Sequence, residues 1–113
     1  LGIDVFPRET LAIMAKKMVD NNVQINFHAN GDAAIDDAIY AIENAGIKAG
    51  DNRRPIIIHS QFQRPDQLQK YVELGITPSY FTNHCFFWGD VHIRNVGEEK
   101  ASFISPMVAA HKL

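Results

Sequence analysis

The sequence has a single cysteine, Cys85, so no disulfide can form within the chain. Nothing in it therefore points to a secreted domain held by disulfides, and a reducing compartment such as the cytoplasm is favoured. Long apolar runs are also missing, since no stretch reaches the roughly 18 residues of a membrane-spanning helix. The 11 basic residues do not outnumber the 13 acidic ones, so we expect neither a nucleic-acid nor a membrane partner.

Motifs of several large enzyme classes are absent as well. The sequence contains neither GxGxxG nor GxxxxGKS/T, the glycine-rich motifs that bind phosphates, and this disfavours a nucleotide-binding domain. It also lacks GxSxG, the motif that presents a serine nucleophile. Acyl-enzyme chemistry is therefore not indicated.

What the sequence does have is the size and apolar content of one small globular domain, with 113 residues of which 46% are hydrophobic. Apolar residues at helical spacing predict helices over 11–19, 35–45 and 65–74. Alternating or continuous apolar residues predict strands over 23–28, 55–59 and 76–81. Such βα units indicate an α/β fold with a parallel sheet, either doubly wound or part of a (β/α)₈ TIM barrel.

The most informative residues are two histidines, His28 and His59, each at the end of a predicted strand and just before a turn. The carboxyl ends of parallel strands lie at one edge of a sheet, where α/β folds place their active sites. Neutral imidazole is the commonest metal ligand in proteins and suits zinc. The pattern indicates a shared metal or catalytic site, although a single strand-end histidine is also a common structural residue.

Three more residues are candidates for contact with a substrate at the same edge. His84 follows the third strand and could contact either a metal or a substrate. Gln61 lies two residues after His59, and Asp32 follows the turn after His28, where its type also suits a helix N-cap.

Other residues have weaker signals. His92 and His111 have no supporting pattern and are predicted to lie on the surface. The aromatic segment 86–90 is predicted to be a loop whose side chains form core or pocket wall, because no basic groove accompanies it.

Three stretches of the sequence resemble the metal-dependent amidohydrolases. They are HANGDAA at 28–34, RPIIIHSQ at 54–61 and LGITPS at 74–79. Together they are similar to the amidohydrolase family 3 type, which includes proteins like N-substituted formamide deformylase and exoenzyme regulatory proteins. The likeness covers roughly residues 6–81 and, more loosely, 97–107.

This resemblance implies a (β/α)₈ barrel in which His28 is the metal ligand of strand five and His59 that of strand six. It implies a divalent metal, expected to be zinc, with one or two ions in the whole protein. It also implies that a metal-bound hydroxide attacks a carbon–nitrogen bond of a small amide-like molecule. An aspartate on strand eight would be the general base.

The family's His-x-His on strand one, its strand-four ligand and its strand-eight aspartate have no counterparts in residues 1–113. We therefore expect a single fragment that spans about strands five to seven and is inactive by itself. Open sheet edges and an uncovered apolar face predict that the isolated chain self-associates. Two alternatives remain open: a non-catalytic binding or regulatory module derived from the barrel, and an independent flavodoxin-like α/β domain.

Overall fold

The structure, a computed structural model, describes residues 3–113. Its strands are β1 Asn26–Ala29, β2 Ile56–His59 and β3 Thr77–Ser79. Its helices are α1 Arg8–Asp20, α2 Asp32–Asn44, α3 Pro65–Leu74, α4 Asn83–Val96, α5 Glu98–Ala101 and α6 Met107–His111, with a 3₁₀ turn at Ala49–Asp51. None of the helices in this part of the chain is long and apolar enough to cross a membrane.

The three strands form one parallel sheet whose order follows the chain, β1-β2-β3. In the register, His28 is opposite Ile58 and Ala29 is opposite His59. Consecutive units of a (β/α)₈ barrel are ordered in this way, whereas a doubly wound sheet reverses its order at a switch point. The mixed α/β architecture with a parallel sheet is therefore compatible with a segment of such a barrel.

The two faces of the sheet differ in what covers them. Ile25, Ala29 and Ile57 are buried in one core with the apolar stripe of α2. The residues of the opposite face that are exposed are Asn26, His28, Thr77 and Ser79. This open face and its carboxyl edge are where the candidate site lies.

The ends of α3 follow from its sequence. Pro65 occupies the first turn, where its missing N–H costs nothing. Gly75 ends the helix with a left-handed φ of 66°, and a Cβ there would lie 2.9 Å from the Cα of Ala49. Only glycine allows this conformation and this close approach together. Both predicted ends of α3, at Pro65 and Gly75, are confirmed.

Two predictions about local structure are wrong. The N-cap of α2 is Gly31, and Asp32 is the first residue of the helix, where a carboxylate still favours the positive end of the helix dipole. The aromatic segment 86–90 belongs to helix α4 and is not a loop. Its large apolar side chains do not form core, since Phe86 is 85% and Trp88 55% exposed.

The buried isoleucine of β2 tests whether this core is formed as described. We expect Ile57→Ala to lower the free energy of unfolding by about 2–5 kcal/mol, because the side chain is fully buried and its loss leaves a cavity. Ile13→Ala on α1, where the side chain is 71% exposed, is the matched control and should cost less than about 1 kcal/mol. If urea denaturation shows the same loss of unfolding free energy in both variants, the described packing of Ile57 is contradicted.

The open sheet and the exposed face of α4 lead to a second prediction. We expect the isolated 113-residue chain to self-associate, because β1 and β3 each present an unpaired edge and Phe86 and Phe87 face solvent. Sedimentation velocity at increasing concentration should show dimers or larger species, and fewer of them for Phe86→Ser with Phe87→Ser. A folded monomer at every concentration would contradict this.

Candidate functional site

Three histidines meet at the carboxyl edge of the sheet. His28 and His59, at the ends of β1 and β2, have ring centroids 4.8 Å apart and nearly perpendicular planes. His84, in the first turn of α4, has its ring centroid 5.2 Å from that of His59. Phe81 packs edge-on against His59 and His84 at 6.4 and 4.9 Å. The structure thus brings together the two predicted ligands and one predicted substrate contact.

The position of His59 depends on an unusual backbone turn. Strict alternation along β2 would place His59 on the same face as buried Ile57, away from His28. Instead His59 and Ser60 have left-handed φ values of 73° and 46°, and the imidazole lies beside that of His28. Such a conformation costs about 1–3 kcal/mol per residue and persists only where neighbouring contacts hold it.

Those neighbouring contacts come from the helix side of the sheet. Ser60 is fully buried, and its Oγ donates to the carbonyl oxygen of Ile57 at 3.1 Å. Because the single hydroxyl proton of Ser60 is used there, Tyr71 Oη on α3 donates to Ser60 Oγ at 2.8 Å. Burial raises the pKa of Tyr71, so its hydroxyl stays protonated and able to donate.

Burial favours the neutral form of the His59 and His84 imidazoles. Burial, and then the charge of His28, lowers the pKa of His59. Burial, followed by the charges of His59 and His92, lowers the pKa of His84. Neutral imidazole is the form that binds a metal, since the proton must leave the coordinating nitrogen.

The cluster also leaves nitrogen atoms without partners. Nδ1 of His59 and Nδ1 of His84 are buried and accept or donate no hydrogen bond within the described part of the chain. Buried polar atoms are rarely unpaired, so a further partner fits this position. A divalent metal at His59, or a polar substrate group at His84, would supply such a partner, although residues 3–113 contain no preformed group of three His, Cys, Asp or Glu that could hold a metal.

Gln61 does not join the histidine cluster. Its side chain is buried, and its Nε2 lies 2.7 Å from Nε2 of His92 on α4. The prediction that His92 lies free on the surface is wrong, because its ring is half-buried and packs edge-on against Phe62 at 4.9 Å. His111, in contrast, is exposed as predicted.

Asp32 belongs to a second cluster, made of ion pairs between the turns that follow β1 and β2. Its Oδ2 accepts from Lys100 Nζ at 2.8 Å, and this hydrogen bond is the main cause of its lowered pKa. Arg64 makes a two-pronged contact with Asp36, at 2.9 and 3.0 Å, and another with Asp66 at the same distances. These contacts join the beginnings of α2 and α3.

A buried glutamine completes this ion-pair cluster. Gln67 is 1% exposed, and its Nε2 donates to the carbonyl oxygen of Asp32 at 2.8 Å and to Oδ1 of Asp36 at 2.7 Å. The sequence signal for the cluster was the acidic residue in the first turn of each helix, at Asp32 and Asp66, with Arg64 just before one of them. That signal does not reveal which charges meet.

Comparison with known proteins places these observations in a family. A family model described as "Amidohydrolase family" matches residues 1–112. No match was found among curated proteins or among solved structures.

The pH dependence of stability tests the ion-pair cluster. The hydrogen bond from Arg64 lowers the pKa of Asp66 below its usual 3.8, so folding is stabilised above that value and loses this contribution as the pH falls through the lowered pKa. We expect Arg64→Gln to lower the free energy of unfolding by up to about 1 kcal/mol per exposed pair near neutral pH, and by less in acid. Arg94→Gln, a residue that forms no ion pair among residues 3–113, is the control. A difference independent of pH would contradict the assignment.

Proposed function

This chain belongs to the amidohydrolase family, since the family model matches residues 1–112, and we propose that it is a segment of a metal-dependent hydrolase of carbon–nitrogen bonds other than peptide bonds. The segment would span strands five to seven of a (β/α)₈ barrel. The observation that supports this best is the pair of imidazoles 4.8 Å apart at the ends of adjacent parallel strands. The motifs around them favour the family 3 type, close to N-substituted formamide deformylase and exoenzyme regulatory proteins.

In this proposal His28 and His59 hold a divalent ion, expected to be zinc. Imidazole nitrogens suit zinc, and burial keeps His59 neutral and ready to coordinate by lowering its pKa. The bound ion would supply two things that hydrolysis needs, a lowered pKa for water and a polarised carbonyl oxygen. The chain's own contribution is to hold the two rings at one edge, through the strand register and the turn at His59 and Ser60.

In this proposal His84 contacts the substrate. Its ring lies beside His59 at the mouth of the open face, and its buried Nδ1 has no partner within residues 3–113. A neutral imidazole can accept or donate a hydrogen bond, and an amide-like substrate offers both kinds of group. Phe81, packed against the rings of His59 and His84, would form an apolar wall of the same site.

Asp32 and Gln61 remain predictions as substrate contacts. Asp32 is hydrogen-bonded to Lys100, and Gln61 to His92, so contact with a substrate would require an exchange of partners. A catalytic zinc site typically uses three protein ligands, and this segment brings together two expected ones. We therefore expect the 113-residue chain to show no activity by itself.

The proposal is tested in the full-length protein by His28→Ala and His59→Ala. Each variant loses an imidazole ligand, so zinc affinity should fall by more than the roughly 10–100-fold that an outer-shell partner is worth. Hydrolysis of N-substituted formamides should be lost in parallel. Zinc affinity is measured by competition with a chelating dye, and the exposed His111→Ala is the matched control.

The two readouts together distinguish an enzyme from a binding module. Unchanged zinc affinity and turnover in both variants would overturn the ligand roles. Zinc binding that depends on both histidines, without hydrolysis of any amide-like compound, would instead favour a non-catalytic member of the family that keeps the barrel as a binding module.

A further inference from the structure

Helix α4 lies at the carboxyl edge with no buried residue along its whole length. Two of its histidines contact β2 and the turn after it, His84 through the ring of His59 and His92 through the amide of Gln61. They are eight residues apart, which is about 12 Å along a helix. Two contacts at that separation restrict both the position and the tilt of the helix relative to β2.

The contact at His92 has the features of a specific anchor. Gln61 is 5% exposed, so its amide has few other partners available. An amide nitrogen can only donate, so Gln61 Nε2–H donates to Nε2 of His92 across 2.7 Å. This requires the His92 proton to be on Nδ1. Phe62 packs against the same ring at an angle of 88°, which restricts its rotation.

Gln61 is itself held from a third direction. The backbone carbonyl oxygen of Gln61 accepts a hydrogen bond from the backbone N–H of Ser105 at 2.8 Å, which ties this residue to the segment after α5. The backbone at Gln61, which carries the amide that contacts His92, is therefore tied to a second segment of the chain.

We propose that His92 is a positioning residue that, through Gln61 and Phe62, holds α4 so that His84 lies against the histidine pair. The inference rests on the proposed function insofar as it assigns His84 to substrate contact. The part of the inference that concerns structure, that the position of the His84 ring depends on His92, requires neither a metal nor a substrate. The ring contacts of His92 found among residues 3–113 are with Phe62 and Gln61, so we expect its effect on the site to be exerted through α4 and His84.

The test uses the full-length protein with ¹⁵N-labelled histidine and long-range ¹H–¹⁵N spectra. His92→Phe keeps a ring against Phe62 but removes the acceptor of the Gln61 hydrogen bond. We expect the ring nitrogen signals of His84 to shift or broaden in this variant, and those of His28 to change less. His92→Gln restores an acceptor oxygen and should return the His84 signals toward those of the unmodified protein, while the exposed His111→Phe should leave them unchanged.

Kinetics give a second readout on N-substituted formamides. His92→Phe should raise KM by about two- to tenfold, the range that one hydrogen bond is worth, and should leave zinc affinity unchanged. Unchanged His84 signals in His92→Phe would overturn the inference, as would a loss of zinc affinity equal to that of His28→Ala. If His28→Ala and His59→Ala leave zinc binding intact while His92→Phe still moves His84, the proposed function fails and the positioning role holds.

Discussion

The histidine cluster depends on the left-handed turn at His59 and Ser60, which breaks the alternation of β2 and places the second imidazole beside the first. The strain of that turn is offset by the buried hydroxyls of Ser60 and Tyr71, which hydrogen-bond on the helix side of the sheet. The turn at His59 and Ser60 therefore links the open face of the sheet to the face that the helices cover. We therefore expect a change in the packing of α3 near Tyr71 to alter the orientation of His59.

The two clusters at the carboxyl edge have different chemistry and different roles. Burial lowers the pKa of His59 and of His84, and the buried Nδ1 of each has no hydrogen-bond partner among residues 3–113, which is typical of groups that contact a ligand. The carboxylates around Arg64 are instead paired with its guanidinium, each through both of its oxygens. Asp32 illustrates the distinction. Its place in the HANGDAA stretch predicts a substrate contact, whereas its hydrogen bond with Lys100 links the start of α2 to α5.

Much of this arrangement could be predicted from the sequence, because local signals and the fold agree. His28 and His59 end apolar strands, and parallel pairing then brings strand ends together; Pro65 and Gly75 similarly bound α3. Three features could not be predicted. The run of bulky aromatics with Gly89 conceals the helical nature of α4. The turn at His59 involves no glycine to signal it, and the contact of His92 with Gln61 joins residues 31 positions apart that share no pattern.

The chain-ordered sheet also bears on how the fold assembles. The β1–β2 pairing joins Asn26 to Ile56, and the β2–β3 pairing joins Ile56 to Thr77. The entropy of loop closure grows only with the logarithm of length, so these two closures differ in cost by about 0.3 kcal/mol. Loop entropy therefore favours neither pairing appreciably. The burial of apolar side chains must decide which strand pair forms first during folding. Since Ile35 and Ile42 of α2 are fully buried between α1 and the sheet, the unit around β1 and α2 is the expected nucleus onto which the later strands add.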